Sequence, residues 1–149
     1  MNIESEVKMN FRNECHKALV NLYYTNNVIG EEFFNLLKEY GLAAPQYNVL
    51  RILYRHKNEA LSIGFIKEGM LDKNSDVSRI VDRLYGKGLV DRKENKLDRR
   101  QKDVMITKRG TELLNSMSDC EHWEDQYLDS LSQDELKQLN VLLDKIRTK

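Results

Sequence analysis

The sequence has little proline and little cysteine: one proline and two cysteines among 149 residues. A single proline, together with only seven glycines, leaves long helices with few interruptions. The two cysteines, Cys15 and Cys120, are too few for a disulfide framework and lack the close spacing of a metal-binding pair. The composition therefore excludes a disulfide-rich secreted fold and suits a reducing compartment.

Long apolar runs are also missing. No uncharged apolar stretch approaches the ~20 residues that a membrane-spanning helix needs. The segment from Met1 to Phe11 carries Glu4, Glu6 and Lys8, where a signal peptide would be apolar. We therefore expect a cytoplasmic protein without a membrane partner.

The chain also lacks a net charge, with 24 Lys and Arg against 24 Asp and Glu. The charges are nevertheless unevenly placed. Segment 73–102 has ten basic and five acidic residues, whereas segment 112–135 has eight acidic residues and no Lys or Arg. A basic segment followed by an acidic one is typical of a polyanion-binding element on an ordinary scaffold. On charge alone, a solvated charged face is an equal alternative.

Apolar residues at three- and four-residue steps predict one long first helix, from about Glu4 to Tyr40, with a kink near Gly30 and a stop at Gly41. Such a helix is about three times the mean length of ~11 to 12 residues. In a small domain it usually buries its apolar face against a partner chain. We therefore expect a homodimer.

The central segment has the pattern of a helix-turn-helix. Helices are predicted over Pro45–His56 and Ser62–Met70. After a polar turn, Val77, Ile80, Val81 and Leu84 form one apolar stripe of a further helix, which Gly86 and Gly88 end. Two short helices separated by a polar turn, with an amphipathic second helix, are typical of the helix-turn-helix.

A basic hairpin follows. Strands are predicted over Leu89–Arg92 and Asp103–Ile106, joined by the charged tip 93–102. Thr107 then precedes another helical pattern, and Ser132 with Glu135 forms a capping box before a final leucine-striped helix. The predicted fold is mainly α with a small β-hairpin wing: one winged helix-turn-helix domain.

The helix that begins near Val77 predicts a face for reading DNA. Rotation by 100° per residue from the apolar stripe places Ser75, Arg79 and Asp82 directly outward, with Ser78 and Arg83 at the flanks. Short hydroxyls allow close approach in a major groove, and Arg donates a bidentate pair to guanine. The alternative is that Arg79 and Arg83 form ion pairs with neighbouring aspartates, such as Asp76, Asp82 or Asp91.

Two polar residues beside this helix start have a second interpretation. Asn74 and Asp76 have the chemistry to contact an adenine or a cytosine amino group, or to cap the helix. We expect Asn74 to cap, and Asp76 stays open between the two roles. The hairpin tip adds Lys96, Arg99 and Arg100, which lie within reach of an adjacent minor groove.

These residues resemble the MarR family of bacterial transcriptional regulators. The resemblance runs from Pro45 to Gly110 and extends over nearly the whole chain with the terminal helices. Its motifs are DVSRIVDRL at 76–84, KGLVDR at 87–92, DRR at 98–100 and ITKRG at 106–110.

The resemblance implies a homodimeric winged helix-turn-helix protein with terminal helices interleaved between subunits and with Arg100 of the wing tip touching DNA. Residues 1–40 and 108–149 would form the dimerisation helices, and residues 44–107 the DNA-binding lobe. The implied function is that of a repressor that binds a pseudo-palindromic site in double-stranded DNA and is released by a small ligand, without a cofactor.

Two inputs are common in the family: a small aromatic ligand and oxidation of a first-helix cysteine. The aromatic residues predicted to line a ligand cavity are Tyr23, Phe33, Phe34 and Tyr47, although aromatics at helical spacing also form dimer cores. Cys15 lies in the first helix and offers the oxidation alternative. Cys120 and His122 are more simply explained as ordinary helix residues than as half of a metal site.

Two other classes compete with a DNA-binding regulator. An enzyme is disfavoured because the sequence has no glycine-rich phosphate loop and no nucleophile elbow, and its three histidines lack acid partners at informative spacing. A dimeric protein-interaction module that uses the acidic segment 112–135 is the second rival. Binding to DNA would fall steeply with salt, whereas protein docking mostly would not.

Overall fold

The computed structural model describes residues 2–148, and this part of the chain forms eight helices and three short strands. In chain order they are α1 (Ile3–Val7), α2 (Glu14–Lys38), α3 (Ala44–Arg55), β1 (Leu61–Ser62), α4 (Ile63–Gly69), α5 (Val77–Gly86), β2 (Val90–Glu94), β3 (Lys102–Ile106), α6 (Lys108–Ser116), α7 (Ser118–Gln126) and α8 (Gln133–Arg147).

The prediction of one helix from Glu4 to Tyr40 is wrong. The chain leaves α1 at Lys8, which takes a left-handed conformation with φ 48°. It enters α2 after Asn13, whose side chain accepts a hydrogen bond from the backbone N–H of His16. A side chain that caps the backbone favours the start of a new helix at that point over continuation of the previous one. The spacing of apolar residues does not reveal such a cap. Gly30 lies within α2 without ending it.

Helices α3, α4 and α5 enclose the core beneath the predicted helix-turn-helix. Their fully buried side chains include Val49, Leu50 and Leu53 of α3, Ile66 of α4 and Leu84 of α5. The predicted boundaries of these helices are confirmed to within a residue or two. Pro45 lies in the first turn of α3 and Ser62 caps α4, which explains where the two helices begin.

The wing is an antiparallel hairpin in a three-stranded sheet of order β1-β3-β2. Five residue pairs join β2 to β3, from Val90 with Ile106 at the base to Glu94 with Lys102 near the tip. Strand β1 was not predicted, because two residues are too few to show an alternating pattern. It places Leu61 opposite Val104 and so connects the wing to the start of α4.

The C-terminal part forms three helices. The helical pattern after Thr107 divides at Met117 into α6 and α7. The capping box of α8 is confirmed, because Ser132 Oγ accepts from the backbone N–H of Glu135 and the Glu135 carboxylate accepts from the backbone N–H of Ser132. None of the α8 side chains is buried in the single chain. Within residues 2–148, no helix is long and apolar enough to cross a membrane.

Gly110 joins the wing to the C-terminal helices. It lies in the first turn of α6, where Thr107 caps the helix and also donates its hydroxyl to the carbonyl of Gly88 at 2.7 Å. A Cβ atom at Gly110 would stand 2.2 Å from the carbonyl oxygen of Leu89 and 2.7 Å from Cγ1 of Ile106. Only a residue without a side chain therefore allows α6 to approach the base of the hairpin this closely.

Replacing Gly110 with Ala should lower the free energy of unfolding by about 1 to 3 kcal/mol, because the backbone of Leu89 has to move to admit the methyl group. Gly86→Ala is the matched control. Gly86 is the last residue of α5 and has nothing within 4 Å of its Cβ position, so the substitution should leave stability unchanged or raise it by ~0.5 to 1 kcal/mol. Urea denaturation measures both. Equal stability of Gly110→Ala and the unmodified chain would show that the close approach is not required.

Candidate nucleic-acid interface

The turn between α4 and α5 is held by side-chain hydrogen bonds to its backbone. Asn48 Oδ1 of α3 accepts from the backbone N–H of Leu71 at 2.9 Å, and Asp72 Oδ1 accepts from that of Asn74 at 2.9 Å. Met70 is buried and anchors the turn in the core. These contacts fix where α5 begins.

Asp76 caps α5. Its carboxylate accepts a hydrogen bond from the backbone N–H of Arg79 at 3.1 Å. The expectation that Asn74 would cap the helix is wrong, because the helix starts at Val77 and Asn74 lies two residues before the cap position. Asn74 remains exposed in the turn.

The outward orientation expected for Ser75 is also wrong. Its Oγ atom is buried and has no hydrogen-bond partner among the described residues. Ser75 precedes the helix, so the rotation of 100° per residue does not apply to it. The Ser75 hydroxyl therefore does not point outward toward a DNA groove, as the helical rotation predicted.

The remaining outward face of α5 agrees with the prediction. Val77, Val81 and Leu84 are buried, Ile80 is partly buried, and the opposite face is exposed. The exposed residues are Ser78, Arg79, Asp82 and Arg83.

The alternative of ion pairing for the two α5 arginines is not observed. Among residues 2–148, neither Arg79 nor Arg83 forms an ion pair. Asp82 pairs instead with Arg92, and Asp76 is engaged as the cap. The two guanidinium groups therefore remain available to an external anion or base edge.

Arg92 connects the wing to α5, a role that the sequence analysis missed. Its guanidinium donates to the carboxylate of Asp82 and lies over the ring of Tyr85, 4.5 Å from the centroid. Because Asp82 and Tyr85 belong to α5 and Arg92 to β2, this contact fixes the hairpin beside the exposed face of the helix. The spacing of Asp82 and Tyr85, three residues apart on one helix face, was the available signal.

The wing tip is ordered by Asn95 and Asp98. Asn95 Oδ1 accepts from the backbone N–H groups of Leu97 at 2.8 Å and Asp98 at 3.1 Å. Asp98 Oδ1 accepts from the backbone N–H of Arg100 at 3.0 Å. These turns leave the basic side chains outside, and the Arg100 side chain is 96% exposed. Lys96 and Arg99 are exposed as well.

Helix α5, the wing and the start of α4 line an open cleft of about 410 Å³. Ser78, Val81 and Asp82 line it from α5, residues 100–102 from the wing, and residues 62–64 from β1 and the start of α4. The structure thus brings Ser78 and Arg100 to the same cleft, as expected for a recognition helix with a neighbouring wing.

The four residues predicted to line a ligand cavity are not all together. The Phe33 ring stacks on Trp123 with centroids 5.1 Å apart and meets the edge of Tyr47 at 5.6 Å. Tyr47 is buried, and burial raises its pKa to about 12. Tyr23 and Phe34 are instead 71% and 51% exposed. Trp123 was not among the predicted residues, although it belongs to this aromatic cluster of Phe33, Tyr47 and Trp123.

The two cysteines lie in different surroundings. Cys15 is exposed on α2, and Cys120 is buried on α7. Burial raises the pKa of the Cys120 thiol, which disfavours the reactive thiolate and fits a packing role. Within the described part of the chain, no three His, Cys, Asp or Glu residues are grouped to hold a metal ion.

A helix-turn-helix with a free basic face, flanked by an ordered basic hairpin, defines a winged helix-turn-helix DNA-binding protein. Residues 42–102 match the model of the MarR family. The chain is 31% identical over 127 residues to the HTH-type transcriptional regulator MgrA of Staphylococcus aureus. The matched segment covers 85% of this chain and 79% of MgrA. The chain belongs to the MarR family of transcriptional regulators, so the expectation of a regulator and not an enzyme is confirmed.

The fold is shared with solved MarR-type structures. It is similar to that of the Staphylococcus aureus MepR–DNA complex, with a TM-score of 0.75 and 22% identity over 85% of this chain and 93% of that chain. It is also similar to a MarR-like transcription regulator from Bacillus cereus, with a TM-score of 0.78 and 18% identity over 90% of this chain and 96% of that chain. The predicted winged helix-turn-helix fold is confirmed.

Substitutions at Asp76 separate capping from base contact. Asp76→Ala should lower the free energy of unfolding by ~1 kcal/mol because α5 loses its cap, whereas Asp76→Ser should restore most of the loss. If Asp76 only caps, Asp76→Ser should also keep the base preference of the unmodified chain in a DNA-binding titration. A stable Asp76→Ser variant with a changed base preference would assign Asp76 to base contact instead.

Proposed function

We propose that the chain is a homodimeric cytoplasmic repressor that binds a pseudo-palindromic site in double-stranded DNA and is released by a small aromatic ligand. The observation that carries the proposal is the unpaired, exposed pair Arg79 and Arg83 on α5 beside a wing tip with Arg99 and Arg100. Two guanidinium groups on α5 and two on the wing tip, the tip that brings Arg100 to the cleft beside α5, match the phosphates and base edges of a duplex.

Arg79 and Arg100 have different proposed tasks. Arg79 lies in the first turn of α5. The N-terminal residues of a recognition helix approach the base edges, where a guanidinium group donates to guanine O6 and N7. Arg100 extends from the wing, where it meets the phosphates and the narrow minor groove next to the half-site. The MepR structure of similar fold is a complex with DNA, which supports a DNA-bound role for this arrangement.

The proposed homodimer uses the terminal helices. Helix α8 exposes Val141, Leu142 and Ile146 at 65%, 50% and 51%, and α2 exposes Leu19 and Tyr23 at 48% and 71%. Apolar surface in continuous helical stripes is typical of an interface between chains. We therefore assign residues 1–40 and 108–149 to dimerisation and residues 44–107 to DNA binding.

The proposed ligand acts at the aromatic cluster of Phe33, Tyr47 and Trp123. These residues come from α2, α3 and α7, so the cluster joins the helices assigned to dimerisation to the DNA-binding lobe. A dimer must hold its two recognition helices about 34 to 36 Å apart to reach successive major grooves. An aromatic ligand that separates these rings would change that spacing without touching the DNA face.

The DNA readout is tested by selecting bound duplexes from a random pool and titrating variants on the best one. The enriched duplex should contain two inverted half-sites, as a dimer requires. Arg79→Ala should lose ~1 to 3 kcal/mol of binding free energy and flatten discrimination at one base pair per half-site. Arg100→Ala should weaken binding to many sequences evenly and reduce the salt slope by about one unit.

Arg12→Ala is the matched control, because Arg12 is an exposed cation in the loop between α1 and α2, outside α5 and the wing and separate from the exposed apolar side chains proposed for the dimer. It should leave both the discrimination and the salt slope unchanged. Equal losses on selected and random DNA for Arg79→Ala would remove Arg79 from base readout. If the selection enriches no sequence and retention on heparin is insensitive to salt, the chain is a protein-interaction module instead.

The signal is tested by setting an aromatic ligand against oxidation. Aromatic acids screened against the DNA complex should release the unmodified chain, and Trp123→Ala should reduce that release because the ring that stacks on Phe33 is lost. Peroxide should have the same effect on the unmodified chain and on Cys15→Ser. The opposite pattern, with no effect of any aromatic acid and with release by peroxide that Cys15→Ser abolishes, would make the exposed Cys15 the sensor.

A further inference from the structure

Leu97 projects from the tip of the wing. It is 98% exposed, the highest value among the large apolar side chains of the described residues. A single exposed leucine is ordinary on a protein surface. Leu97 differs from such residues because its backbone is held by hydrogen bonds and because basic side chains lie on the same tip. Together these two features point to a binding role.

The backbone of Leu97 is held in place. Its N–H donates to Asn95 Oδ1 at 2.8 Å, and the Asn95 amide nitrogen donates to the Asp103 carboxylate at 3.1 Å. The backbone N–H of Asn95 in turn donates to the carbonyl of Gln101 at 2.9 Å, which closes the hairpin below the tip. The turn is formed by Asn95 and Asp98, so the leucine side chain contributes nothing to it. An apolar side chain is thus presented on an ordered loop.

The wing tip around Leu97 carries three cations and one acid. Lys96, Arg99 and Arg100 are exposed on the same five-residue tip, and the carboxylate of Asp98, which also forms the turn, lies 4.0 Å from the Arg100 guanidinium. A partner that matches this surface has anionic groups where the cations lie and an apolar part that the leucine side chain reaches. The minor groove of a duplex meets both requirements, because phosphates line its edges and the sugars and stacked bases form its floor.

We infer that Leu97 enters the minor groove beside each half-site as an apolar wedge at a flexible pyrimidine–purine step. This inference rests on the proposed function. Leucine is one of the side chains that proteins insert between base steps, where it partly unstacks them and bends the duplex. TA and CA steps deform more easily than A-tracts, so the wedge adds a sequence preference at positions that no hydrogen bond reads. Arg99 and Arg100 then hold the phosphates on either side.

The test uses the duplex that the unmodified chain enriches from a random pool. A TA step or an AA step is placed in turn at each position flanking the half-sites. The unmodified chain should bind one TA duplex at least about threefold more tightly than its AA counterpart. Energy transfer between labelled duplex ends should report a bend, and 2-aminopurine at that step should brighten as the base unstacks.

Leu97→Ala and Leu97→Asn should abolish the TA preference, the bend and the fluorescence change, while the base preference that depends on Arg79 persists. Met105→Ala is the matched control, because Met105 is an apolar residue of the same hairpin on β3, 37% exposed and away from the tip. It should behave like the unmodified chain. Unfolding in urea should be unchanged for the Leu97 variants, since the side chain makes almost no contact.

A TA preference and bend that survive in Leu97→Ala would overturn the wedge while leaving the proposed function intact. A pool in which no sequence is enriched would overturn both. Loss of all binding in Leu97→Ala, on selected and random DNA alike, would contradict the wedge as well, because a wedge at one step does not supply general affinity.

Discussion

The position of the wing beside α5 is the constraint on which the rest of the interface depends. Buried Val81 and Leu84 of α5 share one core with Leu89, just before β2, and Val90, its first residue. Arg92 adds its contact with Asp82 and Tyr85. The Arg92–Asp82 pair is partly exposed, so its contribution to stability is small. Its importance is geometric, because it fixes the angle at which the hairpin leaves the helix.

This geometry explains how a chain without net charge presents a basic surface. Most cations of segment 73–102 are on α5 and the wing, whereas the acids of segment 112–135 lie on α6, on α7, in the turn after α7 and at the start of α8. Within the basic segment, Asp76, Asp82 and Asp98 are engaged in a cap, an ion pair and a turn. Arg79 and Arg83 consequently remain unpaired among the described residues.

The spacing of apolar residues predicted the helices and strands in which one face is buried in the core. The apolar stripe of α5 and the alternation of β3 follow directly from which side faces the core, so the recognition helix and wing were found. Local polar contacts were harder to predict. Asn13 and Lys8 break the first helix, and Asp76 rather than Asn74 caps α5, because such choices depend on hydrogen bonds between neighbours.

Contacts between distant segments were also outside the reach of sequence reasoning. Trp123 meets Phe33 across ninety residues of chain. The contact of Arg92 with α5 needs the direction of β2, which no local pattern specifies. A two-residue strand such as β1 likewise exists only because Val104 lies opposite Leu61.

In the proposed DNA complex, Arg92 positions the wing so that Arg100 and α5 engage one DNA site together. A double-mutant cycle of Arg92→Ala and Arg100→Ala, measured as binding free energy on the selected duplex, tests this positioning. Arg100→Ala should cost less when Arg92 is already absent, with a coupling of at least ~0.5 kcal/mol. Losses that are additive within about 0.3 kcal/mol would show that the wing is positioned without Arg92.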